Sequence, residues 1–446
     1  MVTFSIENFG CRATEADASA LRRVLLDSGL DLAAEHAAAD FVVLNTCTVT
    51  AAADSQAREA IRKIHRANPG ARIVVTGCYA QRAPEELATI EGVSYVVGNS
   101  HQREIPNLVA AMRQRRAADS FDFVPIDQLD RDSMSLACGP AKILTGDIFA
   151  QSTVSIAPAT FAAGEGGHTR PILKIQDGCS NRCSYCVIPF VRGRSRSLLP
   201  DDVVREVLAL VSSGAKEIVL SGINLGSYGR DLSPRAGLDQ VVRRILDETS
   251  LDRLRFSSIE PQDITEDFVS LVASSERIAP HFHVPLQSGA DRILRAMHRW
   301  YRAEHYAERI NLIRRTLPDA AIGADVIVGF PGETDDDFRA TCELIERLPF
   351  TYLHVFSFSA RPGTEAANVG DEVPTHTLRE RARTLRAISE EKSAAFRASQ
   401  AGRGLRALTL ARSSGNSTEA LTGNYLKVQI EGRHPANEWH DAYVAP

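Results

Sequence analysis

The sequence predicts an α/β chain in three parts: an open α/β sheet, a partial (β/α)6 barrel and a short strand-rich tail. Short β-branched runs alternate with segments of helical period over residues 3–89, and again from Pro171 to about residue 358. Single cysteines stand at the ends of the three early runs, at Cys11, Cys47 and Cys78. Three more, Cys179, Cys183 and Cys186, follow the first run of the second series.

In the first part, residues 3–9, 40–45 and 72–77 are predicted strands, followed by helices at 15–27, 51–66 and 84–89. The carboxyl ends of strands in such a sheet lie along one edge, where ligands bind. Three thiols far apart in sequence are therefore expected to meet there. A lone cysteine reads as a small buried hydrophobe, but three repeats of one placement favour a site. Periodicity then fades until Ala-Gly-Glu-Gly-Gly before His168. Residues 113–164 read as a linker or insertion, and Cys138 within them as an incidental thiol.

In the second part the predicted strands are 171–176, 216–221, 253–259, 281–286, 322–329 and 351–358, with helices at 200–213, 237–247, 265–276, 302–316 and 334–347. Six parallel strands with crossover helices predict a partial barrel, with its chemistry at the carboxyl ends of the strands. The cysteine loop and residues 221–224, 257–260, 286–289 and 329–333 all fall there. Each loop alone is turn punctuation; together they read as a ligand site. His281 and His283 share a face of the fourth strand, where core or supporting roles are expected. Cys342, within a helix, is expected to pack.

The Cys-x3-Cys-x2-Cys spacing of Cys179, Cys183 and Cys186 crowds three thiolates onto one loop, one ligand short of a four-iron cluster or of a closed zinc site. A zinc knuckle completed from elsewhere, or a redox-sensitive loop, are the competing readings. With Tyr185 before the third Cys, the loop resembles the radical S-adenosylmethionine (SAM) superfamily. Phe9-Gly10-Cys11, Asn45-Thr46-Cys47-Thr48-Val49-Thr50 and Thr76-Gly77-Cys78-Tyr79-Ala80-Gln81 resemble the methylthiotransferase branch of it. Gly423-Asn424-Tyr425-Leu426-Lys427-Val428 in the tail resembles TRAM, a small β-barrel that binds RNA.

The resemblance implies a methylthiotransferase domain at 1–112, the linker, a radical SAM domain at 165–397 and a TRAM-like β-barrel at 398–446. It implies two [4Fe–4S] clusters, on Cys11, Cys47 and Cys78 and on Cys179, Cys183 and Cys186. SAM is expected at Ser221, Gly222 and Asn224 through its amino group, with Glu260, Gln287, Gly329 and Gly332 near ribose and adenine. Sulfur insertion and methylation at C2 of an adenine beside the tRNA anticodon is the implied activity. A flavodoxin or ferredoxin as electron donor and a separate sulfur source are the implied partners. The motifs look most like enzymes acting on N6-threonylcarbamoyladenosine; isopentenyladenosine and a ribosomal-protein Asp are the alternatives, and a non-enzymatic metal- and RNA-binding protein is a rival of another class. Thr14 departs from the Asn common in the family.

Charge is uninformative overall, at −5, but uneven. Cys179 to Pro200 holds Arg182, Arg192, Arg194 and Arg196 with no acid, and His376 to Arg412 holds eight Arg and one Lys against three Glu. Such patches could grip phosphates; Arg192 and Arg194 are the expected RNA contacts. No run of eighteen apolar residues and no signal-like N-terminus occur, so the cytoplasm is the expected compartment and disulfides are not expected.

Overall fold

The computed structural model describes residues 2–110, 141–154, 161 and 169–444, so Cys138, His168 and much of 113–164 lie outside the described residues. The chain divides into two compact units, residues 1–158 with 187–194, and residues 159–186 with 195–446.

The first unit is built on a parallel sheet. Its elements are β1 (Thr3–Asn8), α1 (Arg12–Asp27), β2 (Asp31–Leu32), β3 (Phe41–Thr46), α2 (Ala51–Ala67), β4 (Arg72–Gly77), α3 (Cys78–Arg82), α4 (Pro84–Ala88), β5 (Val93–Gly98) and β6 (Lys142–Leu144), with α5 (Ile188–Arg192) joining from later in the chain. Strand order is β2-β1-β3-β4-β5-β6. The central strands β3 and β4 are covered on both faces, which is why residues 41–44 and 73–75 read as unbroken apolar runs. Val42, Leu44, Ile73 and Val75 pack with Ile61 and Ile64 of α2, while Phe41, Val43 and Val74 pack with Phe4, Leu21 and Leu25. Thr50 starts α2, its hydroxyl accepting from Ala53 N at 3.2 Å. The first three expected strands and helices are present; β6 arises inside the stretch read as a linker.

The second unit begins with β7 (Ile172–Asp177), β8 (Arg196–Ser197), α6 (Pro200–Ser212), β9 (Glu217–Gly222), α7 (Leu238–Glu248), β10 (Arg253–Phe256) and α8 (Glu266–Ala273). It continues with β11 (His281–His283), α9 (Asp291–Ala296), α10 (Ala303–Thr316), β12 (Ala321–Val328), α11 (Asp335–Arg347) and β13 (Tyr352–Ser357). β7, β9 and β10 pair in parallel, as do β11, β12 and β13, and the bridges Leu254–Ile278 and Ser258–His283 connect the two sets into one curved wall. Alternation sorts its two faces. Leu173, Ile175, Ile218, Leu220, Leu254, Phe256, Ile322, Ala324 and Val326 belong to the core shared with the outer helices. The opposite, inner face carries Lys174, Gln176, Glu217, Arg253, Arg255, His281, His283 and Asp325.

A long helix, α12 (Thr375–Ser399), leads to β14 (Gly404–Ser414), β15 (Ser417–Thr422), β16 (Lys427–Glu431) and β17 (Trp439–Tyr443). These form a curled antiparallel sheet ordered β16-β15-β14-β17, a half-barrel where a small β-barrel was expected. Buried Glu217 fastens it to the wall. Its carboxylate meets Arg253 at 2.5 Å, Arg255 at 2.7 Å and Arg170 at 3.3 Å. The two strand arginines then donate to the carbonyls of Leu421 (2.9 Å), Thr422 (3.0 Å) and Gly423 (2.9 Å). Burial alone would raise the Glu217 carboxyl, but Arg255, Arg253 and Arg170 together hold it well below the usual range. Tyr425 stacks on His281 at 4.2 Å, and the His281 ring meets Tyr352 Oη at 2.8 Å.

Candidate metal centres

The first centre is made by three strand ends. Cys11 precedes α1, Cys47 follows β3, and Cys78 opens α3 directly after β4. Glycines permit this crowding at two of them. Gly10, at φ +116°, sits where a Cβ would lie 2.4 Å from Cys47 Cβ; Gly77, at φ +98°, sits where one would lie 2.3 Å from the Thr46 carbonyl oxygen. Thr14, the departure from the family pattern, is buried and donates to the Cys11 carbonyl at 2.7 Å. Burial pushes the Cys47 thiol up to about 12, with Cys78 and Cys11 adding to the effect, so the three groups lie within electrostatic reach. Burial likewise raises Cys78, against the opposing pull of Arg192.

The second centre lies on the loop after β7. Asp177 anchors its start, accepting from Lys174 Nζ and from Gly178 N, both at 2.8 Å. Gln176 ties the loop to the end of β9: its amide donates to Gly178 O at 2.8 Å and Ser195 Oγ at 2.9 Å, and its oxygen accepts from Asn224 N at 2.8 Å. Burial raises the Cys179 thiol, offset by bonds from Asn181 N and the Asn224 side chain. Arg299 Nη1 lies 3.4 Å from Cys183 Sγ while the same guanidinium pairs with Glu260. Tyr185 is partly buried beside Arg299, Cys183 and Cys186.

The donor sets fit iron–sulfur clusters. Among the described residues, the His, Cys, Asp and Glu groups whose ligand atoms all lie within 4.8 Å of one another are His283–Asp325–His354 and His434–Glu438–His440, and neither thiol trio is one of them. Thiolates on a single zinc ion stand ~3.8 Å apart, given bonds of about 2.3 Å. Wider spacing suits a cluster whose separate irons take one thiolate each. The raised Cys47 and Cys78 thiols of the first unit stay protonated until a cation replaces their protons. At the second centre Asn224 Oδ1 is buried with no hydrogen-bond partner among the described residues, an acceptor open to an ammonium group beside the thiol loop.

The other expected residues fall around the same rim. Ser221 and Gly222 end β9 beside Gln176; Glu260 follows β10 and is held by Arg299; Gln287 donates its N–H to Asp325 O at 2.8 Å. Gly329 N donates to Glu333 Oε2 at 2.8 Å and Gly332 N to Asp371 O at 2.9 Å. Cys342 packs against the barrel core, as expected. Arg192 requires correction: it is 2 % exposed, paired with Asp17 at 2.8 Å and set 3.2 Å from Cys78 Sγ, so it is not open to phosphate. Arg194 is exposed. Sequence reasoning missed Gln176, Arg299 and the inner-face pair Asp325 and His354, and gave their neighbour His283 only a core or supporting role. Only the period-2 placement of Gln176, Asp325 and His354 on their strands signalled that they face inward.

Known proteins agree with this architecture. Residues 3–98 match the uncharacterized protein family UPF0004 and residues 173–345 the radical SAM superfamily. The chain is 36% identical over 428 residues to the threonylcarbamoyladenosine tRNA methylthiotransferase MtaB of Aquifex aeolicus, covering 96% of each. It is 34% identical over 441 residues to the protein of that name in Bacillus subtilis, covering 97% of this chain and 91% of the other. It is also 34% identical over 402 residues to a tRNA-2-methylthio-N(6)-dimethylallyladenosine synthase of Thermobifida fusca, covering 88% and 76%. Among solved structures, the radical SAM methyltransferase TsrM of Kitasatospora setae, with cobalamin and a [4Fe–4S] cluster bound, matches in fold with a TM-score of 0.59 at 18% identity, over 82% of this chain and 77% of that one. The chain therefore belongs to the radical SAM methylthiotransferase family, enzymes that work with S-adenosylmethionine and [4Fe–4S] clusters.

Proposed function

We propose that this enzyme methylthiolates C2 of N6-threonylcarbamoyladenosine beside the tRNA anticodon. The observation that carries the substrate is the match, over 96% of both chains, to a relative named for it. When bound, the clusters and SAM supply a radical able to act on an unactivated ring carbon, together with the sulfur and the methyl group. Cys179, Cys183 and Cys186 would hold one cluster, leaving a position for SAM, and Cys11, Cys47 and Cys78 the other.

The chain's own residues do the rest by orientation. Asn224 donates to Cys179 and keeps a buried Oδ1 with no partner among the described residues, an acceptor for the amino group of SAM; Gln176 fixes the Asn224 backbone. Buried Arg299 holds partly exposed Glu260 and Cys183 in one arrangement. Tyr185 and Ile327 pack against buried Phe330 and Met297 and give this part of the site an apolar side. For RNA, exposed Arg194 and a groove of about 500 Å³ lined by Arg379, Arg383 and Arg386 of α12 are suited to phosphates of an unpaired loop. Arg381 on the same helix is buried on Glu333 and has a structural part instead.

Mass spectrometry of tRNA nucleosides from cells with and without the gene tests the proposal. Loss of the 2-methylthio group from threonylcarbamoyladenosine is the expected result. Its persistence, with loss from isopentenyladenosine or none at all, would refute the assignment.

A further inference from the structure

We propose that Arg192 is a positioning residue for the thiol centre of the first unit, fixing Cys78 and setting the reduction potential of the cluster held there. Arg192 lies six residues after Cys186 in sequence but packs with the first unit. Its Nε stands 3.2 Å from Cys78 Sγ and its Nη2 2.8 Å from Asp17 Oδ2, with Arg192 and Asp17 side chains each 2 % exposed. Neighbours hold it in place. Val187 and Val191 pack directly on Cys78, and Asn99 Nδ2 donates to Val191 O at 2.9 Å while lying 3.6 Å from the same sulfur.

Asp17 offsets the charge of the guanidinium, but the Nε–H is aimed at one sulfur of the three. A guanidinium stays protonated at any working pH, so this donor is permanent. Hydrogen bonds and positive charge at cluster sulfurs favour the reduced, more negative state and raise the potential. A mere salt bridge tying α5 to α1 would stabilise the unit without that electrical effect.

The inference rests on the family reading, which a parent chain unable to take up iron would remove by itself. In a chain carrying Cys179→Ala, Cys183→Ala and Cys186→Ala, only the first centre remains, and anaerobic reconstitution with iron and sulfide loads about four irons. An EPR-monitored redox titration then compares two variants of that chain. One combines Arg192→Gln with Asp17→Asn, which removes both charges together; the other is Arg192→Lys, which keeps the charge but loses the Nε donor. Both are expected to take up iron at the parental stoichiometry and to titrate at a more negative potential, the lysine variant by less. The parental potential in either iron-loaded variant overturns the proposal. If the double variant fails to fold, the lysine variant decides.

Discussion

Gly10→Ala is expected to empty the first centre while sparing the second. The added methyl carbon would lie 2.4 Å from Cys47 Cβ and 2.9 Å from its Sγ. Relaxed carbon contacts need ~3.5–4.0 Å, so one of the two must retreat by about 1 Å. A φ of +116° disfavours any Cβ there, so the backbone gives little relief. Metal–thiolate bonds tolerate only about 0.2 Å, a small fraction of that displacement. Iron analysis after anaerobic reconstitution should fall from about eight to about four atoms per chain, with reductive SAM cleavage retained and methylthio transfer lost. An alanine variant with the full iron complement and parental transfer would refute the steric argument.

Cys183→Ala should abolish SAM cleavage, whereas Cys47→Ala should leave cleavage and remove sulfur insertion; chromatography of 5′-deoxyadenosine and of the nucleoside product separates the two. Glu217→Gln leaves Arg253, Arg255 and Arg170 clustered without their buried counter-charge, and a loss of about 3–5 kcal/mol is expected, read as a lower urea midpoint and easier proteolysis of the tail. The carboxyl of Glu217 is depressed in the folded chain, so its contribution is complete above the unfolded value of about 4.3 and is lost as pH falls below it toward the folded one; acid melting of the Gln variant should lack that part of the decline. Arg383→Glu with Arg386→Glu should weaken tRNA binding in titrations at several salt concentrations and flatten the log–log slope by about 1 for each phosphate no longer neutralised.

Much of this was legible in the chain because the signals were periodic or punctuated. The stretches 41–44 and 73–75 are apolar throughout because both faces are covered, and each run leads into a cysteine motif. Strand β6 was not legible, since Lys142–Leu144 is too short to carry a pattern and is defined by its pairing with β5. The burial of Arg192 was not legible either. One-dimensional charge counting treats every arginine in a basic run alike, and only the packing of Val187 and Val191 on Cys78 separates Arg192 from its exposed neighbour Arg194. Asn224 was expected to contact SAM from its loop, but the buried acceptor beside Cys179 was not legible, because it depends on the segment after β9 meeting the thiol loop.

Glu217, Arg253, His281 and Tyr352 all stand at the amino ends of their strands, and there the 421–425 turn rests across them. The tail thus covers the amino ends of these strands, opposite the rim that carries the thiol loop. Cutting the chain after α12 would bare this end to water and leave the Arg253 and Arg255 guanidinium groups without the carbonyls they donate to.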